Sequence, residues 1–148
     1  MALGWTIKRD HDLYRRLFAK MFKTTEKDAA LREKLFSQYF DNLFIHHDAE
    51  ERLVFPAMIK VPDLKDLALE LEEEHRSMKV HIQELVKMGY DSKMWRYRLA
   101  PLYDIMQAHW DKEEKIVLPF APEYFSESAL DDIDKAWAEF AAKEMKKK

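Results

Sequence analysis

Leu64, Leu67, Leu71, Met78, Ile82 and Leu85 recur at intervals of three and four, the period of one helix face. They predict a helix over about 63–88, with Asp63 after Pro62 as its N-cap and Gly89 as its stop. Three further stripes read the same way. Tyr14, Phe18 and Met21 mark a helix over about 9–23, and Phe36, Phe40, Leu43 and Leu53 mark one over about 28–55. Leu99, Leu102, Met106 and Ile116 mark the fourth, over about 92–118. A shorter amphipathic piece over about 127–145, with Leu130, Ile133, Trp137 and Phe140, follows Ser126 and Ser128 as candidate caps. Short connections between the four main helices predict an all-α fold, an antiparallel up-down four-helix bundle. The additional short C-terminal helix would lie across it or cap an end. One domain over 1–148 is expected, with its bundle core at about 9–120.

Composition sharpens this reading. Only two glycines, Gly4 and Gly89, occur in 148 residues, too few for the turns of a β-rich fold. Apolar residues at 47% and charged ones at 36% fit a globular chain with a real core. The absence of cysteine excludes disulfides, thiolate metal sites, iron–sulfur clusters and a cysteine nucleophile. A net charge of -3 gives no basic field for nucleic acid, so no nucleic-acid partner is expected. The cluster Lys93, Arg96 and Arg98 reads as a solvated helix start. No apolar run approaches the ~20 residues that span a bilayer, and the first residues lack a secretory apolar region. No membrane partner and a cytoplasmic location are the expectations; the oligomeric state is left open.

The strongest signal is an internal repeat. HHDAEERLVFP at 46–56 matches HWDKEEKIVLP at 109–119 with six of 11 positions identical. Upstream of each copy lies one lone histidine, His11 before the first and His75 before the second. The chain thus reads as two helix pairs, each supplying a His and then a His-x-x-x-Glu. Residues four apart share a helix face, so His46 points with Glu50 and His109 with Glu113. All fall on the apolar stripes, as do His11 and His75. Two carboxylates and four imidazoles in a bundle interior are very unfavourable unless cations compensate them.

Imidazole with carboxylate suits iron, manganese or zinc, whereas oxygen-only calcium chemistry does not need the histidines. Two histidines per metal with both glutamates bridging gives four protein ligands each. An oxo or hydroxo bridge makes five and leaves an open position for a small-molecule ligand such as O2. One tetrahedral zinc would leave two ligands unexplained.

This pattern resembles the hemerythrin-like, or HHE cation-binding, family, through His11, His46-x-x-x-Glu50, His75, His109-x-x-x-Glu113 and the following Pro56 and Pro119. The resemblance implies an up-down bundle around a non-haem di-iron centre, hence two Fe ions held by those six residues. Members bind or sense oxygen or iron, react with nitric oxide or peroxide, or take part in iron-centre repair. The oxygen carriers have His-x-x-x-His on the third helix and His-x-x-x-x-Asp on the fourth. Here Lys79 follows His75, and Glu114 stands at the longer spacing after His109. One terminal histidine is missing, which turns the expectation from a plain carrier toward the sensing and reactive members. The expected function is binding or sensing of O2 or a related small molecule. The alternatives are a di-iron oxidoreductase acting on peroxide, nitric oxide or an organic substrate, and an iron-handling protein.

Several residues admit more than one role. His47 with Glu51 forms a second His-x-x-x-Glu, but His46 aligns with His109 whereas His47 aligns with Trp110. His47 is left open as an extra ligand on one iron or a donor behind the ligands. His81 aligns off the ligand face. Glu72 with His75 matches the ferritin-like Glu-x-x-His, yet the motif does not recur, and Glu72, Glu73 and Glu74 read as a solvated run. Tyr14 and Tyr103 stand about one turn from proposed ligands, within reach of the bridge.

Overall fold

The computed structural model describes residues 2–147, and side chains from residue 3 onward. Its order is α1 (Ala2–Met21), α2 (Ala29–Ala49), α3 (Phe55–Ile59), α4 (Pro62–Met88), α5 (Trp95–Lys112), α6 (Leu118–Tyr124) and α7 (Glu127–Met145). No strand occurs among the described residues, so the chain is all-helical. Helix α1 begins well before the expected start near residue 9, because Leu3 and Ile7 extend the buried stripe of Tyr14 and Phe18. Gly4 does not break it.

The stops obey local chemistry. Thr25 and Asp28 form a reciprocal capping box before α2. Val61 rather than Asp63 caps α4, whose first turn carries Pro62. Gly89 ends α4 at φ 90, a conformation that favours glycine. Ser126 caps α7 by accepting from Ala129 N–H, while Ser128 lies within the helix. Arg32, almost wholly buried, joins the two loops at this end by donating to the Thr24, Tyr90 and Ser92 carbonyls.

The two repeat copies carry the same backbone irregularity. Glu50–Val54 joins α2 to α3, and Glu113–Val117 joins α5 to α6, each as one π-helical turn. Phe55 N–H donates to the Glu50 carbonyl and Leu118 N–H to the Glu113 carbonyl, five residues back. The next residue in each copy is proline, which lacks a donor and crowds the carbonyl four residues before it. Widening the turn relieves that crowding. Such turns recur at functional sites, and here each begins on the glutamate of the motif.

Helix α1 packs on α2 and α5, α4 packs on α3 and α5, and α7 covers α1 and α2. Two apolar clusters result. One gathers Tyr14, Phe18, Phe36, Tyr39, Leu99 and Met106; the other gathers Leu3, Ile7, Phe55, Met58, Leu71 and Trp137. Burial of each large side chain is worth roughly 1.5–3 kcal/mol. Along α1 the order is Ile7, His11, Tyr14, and along α4 it is Leu71, His75, Met78. The polar residues therefore form a layer between the two clusters. Phe40 and Ile116 depart from the expected core stripes and are 40% and 44% exposed. Both sit at the margin of a face already filled, Phe40 by Phe36 and Leu43 and Ile116 by Glu113.

Candidate metal centre

Each of the six expected site residues, His11, His46, Glu50, His75, His109 and Glu113, is buried in this layer. His47 is buried with them. Their side chains fall into two groups whose ligand atoms lie within 4.8 Å of one another. His11, His46 and Glu113 form the first; His47, Glu50, His75 and His109 form the second. The two glutamates link the groups. Glu50 Oε1 lies 3.4 Å from His46 Nε2 and 3.4 Å from His75 Nε2. Glu113 Oε1 lies 3.2 Å from His11 Nε2 and 3.5 Å from His109 Nε2.

Behind four of the imidazoles stands a carboxylate, always from another helix or turn. His46 Nδ1 donates to Asp10 at 2.9 Å and His109 Nδ1 to Glu74 at 2.8 Å. His11 Nδ1 donates to Glu114 at 2.8 Å and His75 Nδ1 to Glu51 at 3.3 Å. A carboxylate can only accept, so the hydrogen sits on Nδ1 and the Nε2 lone pair faces inward. Arg15 secures Glu114 at 2.6 Å, and Lys112 pairs with Glu74. Glu74 is thus no member of a solvated run, as the acidic stretch at 72–74 suggested. Its rotation on α4 turns it to α5, while Glu73 pairs outward with Arg76.

These acids were missed in the sequence, although they repeat as well. Asp10 and Glu74 each precede the lone histidine, and Glu51 and Glu114 each follow the motif glutamate. The aligned halves exchange their partners symmetrically. Asp10 of the first helix serves His46 of the second, as Glu74 of α4 serves His109 of α5.

The layer leaves several buried polar atoms without partners. His75 Nε2 and His109 Nε2 face each other at 3.1 Å. His11 Nε2, His46 Nε2, both Glu50 oxygens and Glu113 Oε1 are buried without a hydrogen-bond partner. Glu50 is held down to about 2: burial opposes ionisation, but the imidazoles of His46, His75 and His109 outweigh it. Burial likewise opposes ionisation of Glu114, but His11 and Arg15 bring it down to about 2. Burial works against protonation of His75, yet Glu50 and Glu51 raise it. Burial pushes His109 down, and pushes His47 well below its ordinary value with help from His75 and His109. Inward lone pairs from imidazole and carboxylate, with carboxylates behind the imidazoles, fit divalent metal ions.

Around this layer the aromatic residues differ from side to side. Trp110 stacks on His11 at 5.7 Å, and the aligned His47 stacks on His75 at 3.7 Å. Trp137 of α7 meets His46 edge-on at 5.0 Å. The Tyr14 ring lies 5.8 Å from that of His46, and its hydroxyl has no partner. Tyr103 instead turns its hydroxyl to Gln107. His81 sits on the flank with Arg98, and Trp95, which stands between Lys93 and Arg96 in the chain, is buried under Arg32. Among the described residues, no helix is long and apolar enough to cross a membrane.

The chain's sequence matches the hemerythrin HHE cation binding domain over residues 4–121. No curated protein matches it. The crystal structure of a hemerythrin HHE cation binding domain-containing protein from Mycobacterium kansasii superposes with a TM-score of 0.82. That match covers 95% of this chain and 85% of the other at 20% identity, and it shows a shared fold. With four-fifths of its length matching the family, the chain belongs to the hemerythrin HHE cation-binding domain family.

Proposed function

We propose that this protein holds two iron ions in the buried layer and binds or senses O2 or a related small molecule there. The observation that carries the reading is the set of inward lone pairs left without hydrogen-bond partners between two apolar clusters. His11, His46, His75 and His109 are the terminal donors, and Glu50 and Glu113, each adjoining both groups, are the bridges. The four long helices act as an up-down bundle that presents these donors from opposite sides. Two irons held there supply a redox-active pair with room for an exogenous ligand. Asp10, Glu51, Glu74 and Glu114 fix the imidazole tautomers and strengthen them as donors. The apolar clusters above and below exclude bulk water.

Metal content per chain, read with an absorption spectrum before and after oxygenation of anaerobic protein, tests this. Two irons and a near-ultraviolet ligand-to-iron charge-transfer band appearing with oxygen are expected. One zinc, or no metal, in protein from iron-replete cells would sink the reading. Reversible recovery of the starting spectrum marks a binder or sensor. Sustained consumption of oxidant marks the alternative, a di-iron oxidoreductase, which the missing histidine at Lys79 favours.

A further inference from the structure

A row of aromatic rings leaves the buried layer along α5. Trp110 stacks on His11 with ring centres 5.7 Å apart, and Tyr103, two turns earlier on α5, meets Trp110 edge-on at 6.3 Å. Trp110 is 1% exposed, and its Nε1–H has no hydrogen-bond partner. A phenylalanine would pack there without burying an unpaired donor. Tyr103 is only partly buried, and its hydroxyl donates to Gln107 Oε1 at 3.4 Å. The internal repeat does not dictate this pair, for 63 residues earlier stand Phe40 and His47. Indole and phenol give up one electron far more readily than those two rings. Neither Trp110 nor Tyr103 lines the cavity of about 340 Å³ beneath α7, which is bordered by His46 and Trp137. The row thus joins a proposed iron ligand to a ring that solvent reaches.

We infer that Trp110 and Tyr103 carry electrons, one at a time, from a reductant at the surface to the iron pair. The inference rests on the iron-pair reading above. Its co-reactants are a peroxide, which oxidises the iron pair, and an external hydrogen-atom donor of the ascorbate class. Trp110 gives one electron to the oxidised pair and takes one from Tyr103, whose phenol releases its proton to solvent. The Arg15 guanidinium, 5.2 Å over the Trp110 ring, disfavours positive charge left on the indole and so drives the second transfer. The donor then returns an electron and a proton to the Tyr103 phenoxyl. Two such passes, with two protons from solvent, reduce one hydrogen peroxide to two waters. The plain rival is that Trp110 only packs on His11 and Tyr103 only closes the core.

Electron paramagnetic resonance separates the two, read on the iron-loaded full chain frozen after mixing with hydrogen peroxide, with iron per chain measured alongside. The parent is expected to show an organic radical whose spectrum narrows when its tyrosines carry deuterated rings. Ascorbate added before freezing is expected to remove that signal. Tyr103→Phe is expected to abolish the response to tyrosine deuteration. Trp110→Phe is expected to keep both irons and lose the tyrosyl radical. A parent with two irons and no tyrosyl radical overturns the inference, as does an unchanged tyrosyl signal in Y103F. A tyrosyl radical persisting in W110F with two irons overturns the part given to Trp110 and leaves it a packing ring. Y103F, altered at a partly exposed ring, decides the matter should W110F fail to fold. A parent chain without an iron pair fails on metal content alone and overturns the underlying reading instead.

Discussion

At the scale of single residues, four imidazole–carboxylate pairs decide what the buried layer can hold. In each, the carboxylate fixes a hydrogen on Nδ1 and turns a lone pair inward. Glu114→Gln tests this most cleanly, since an amide oxygen still accepts from His11 while the negative charge disappears. A fall of about 10–100-fold in metal affinity is expected, measured by chelator competition. An unchanged affinity would show that the pair only positions the ring. Glu114 also sets a pH dependence. Its ordinary value of 4.5 falls to about 2 in the folded chain, so its carboxylate form favours folding. That stability is present above about 4.5 and is lost as pH falls through about 2. The metal-free parent should lose thermal stability across this window, and E114Q should lose less. That the histidines and the two motif glutamates share one buried layer was legible because each His-x-x-x-Glu pair spans one helix turn and the pattern repeats. Their carboxylate partners were not, because the pairing crosses between helices and depends on how each is rotated. Asp10 and Glu74 look alike in sequence to any exposed acid beside a histidine.

Among the elements, the two π-turns and α7 were the parts least visible in advance. Apolar periodicity gives helices, and it gave the main helices and the 127–145 span of α7. It does not distinguish an α-turn from a π-turn, although Pro56 and Pro119 after the paired motifs supply the cause. Nor does it say what an extra helix covers. Helix α7 lies beyond the family match at 4–121, yet its Trp137 is buried against His46 and the apolar cluster of Leu3, Ile7 and Phe55. The helix thus closes the layer on the side of His46. Trp137→Ala should cost about 3–5 kcal/mol of stability, seen as a lower urea midpoint at unchanged slope. It should also speed metal removal by a chelator, because the wall of the cavity beside His46 is gone. A stability loss with no change in chelation rate would make Trp137 a packing residue alone.

Taken as a whole, the molecule is two apolar cores joined through a polar layer that α1, α2, α4 and α5 all supply. Without metal, that layer keeps the inward Nε2 atoms of His11 and His46 and the buried Glu50 and Glu113 oxygens without hydrogen-bond partners. Burying such groups unpaired opposes folding, whereas cations bound only by the folded state favour it. Loading with iron(II) under anaerobic conditions should therefore raise Tm relative to chelator-treated protein. At a hundredfold excess over Kd, binding adds about 2.7 kcal/mol, which for a chain of this size corresponds to roughly 5–10 °C. Because every long helix of the pair-wise repeat reaches the layer, both cores should respond together, shifting one cooperative transition rather than creating a second. Circular dichroism melts of the two forms read this directly. A Tm that does not move under saturating iron would mean that the inward donors are satisfied some other way. A rise in only part of the transition would mean that the layer is coupled to one core and not to both.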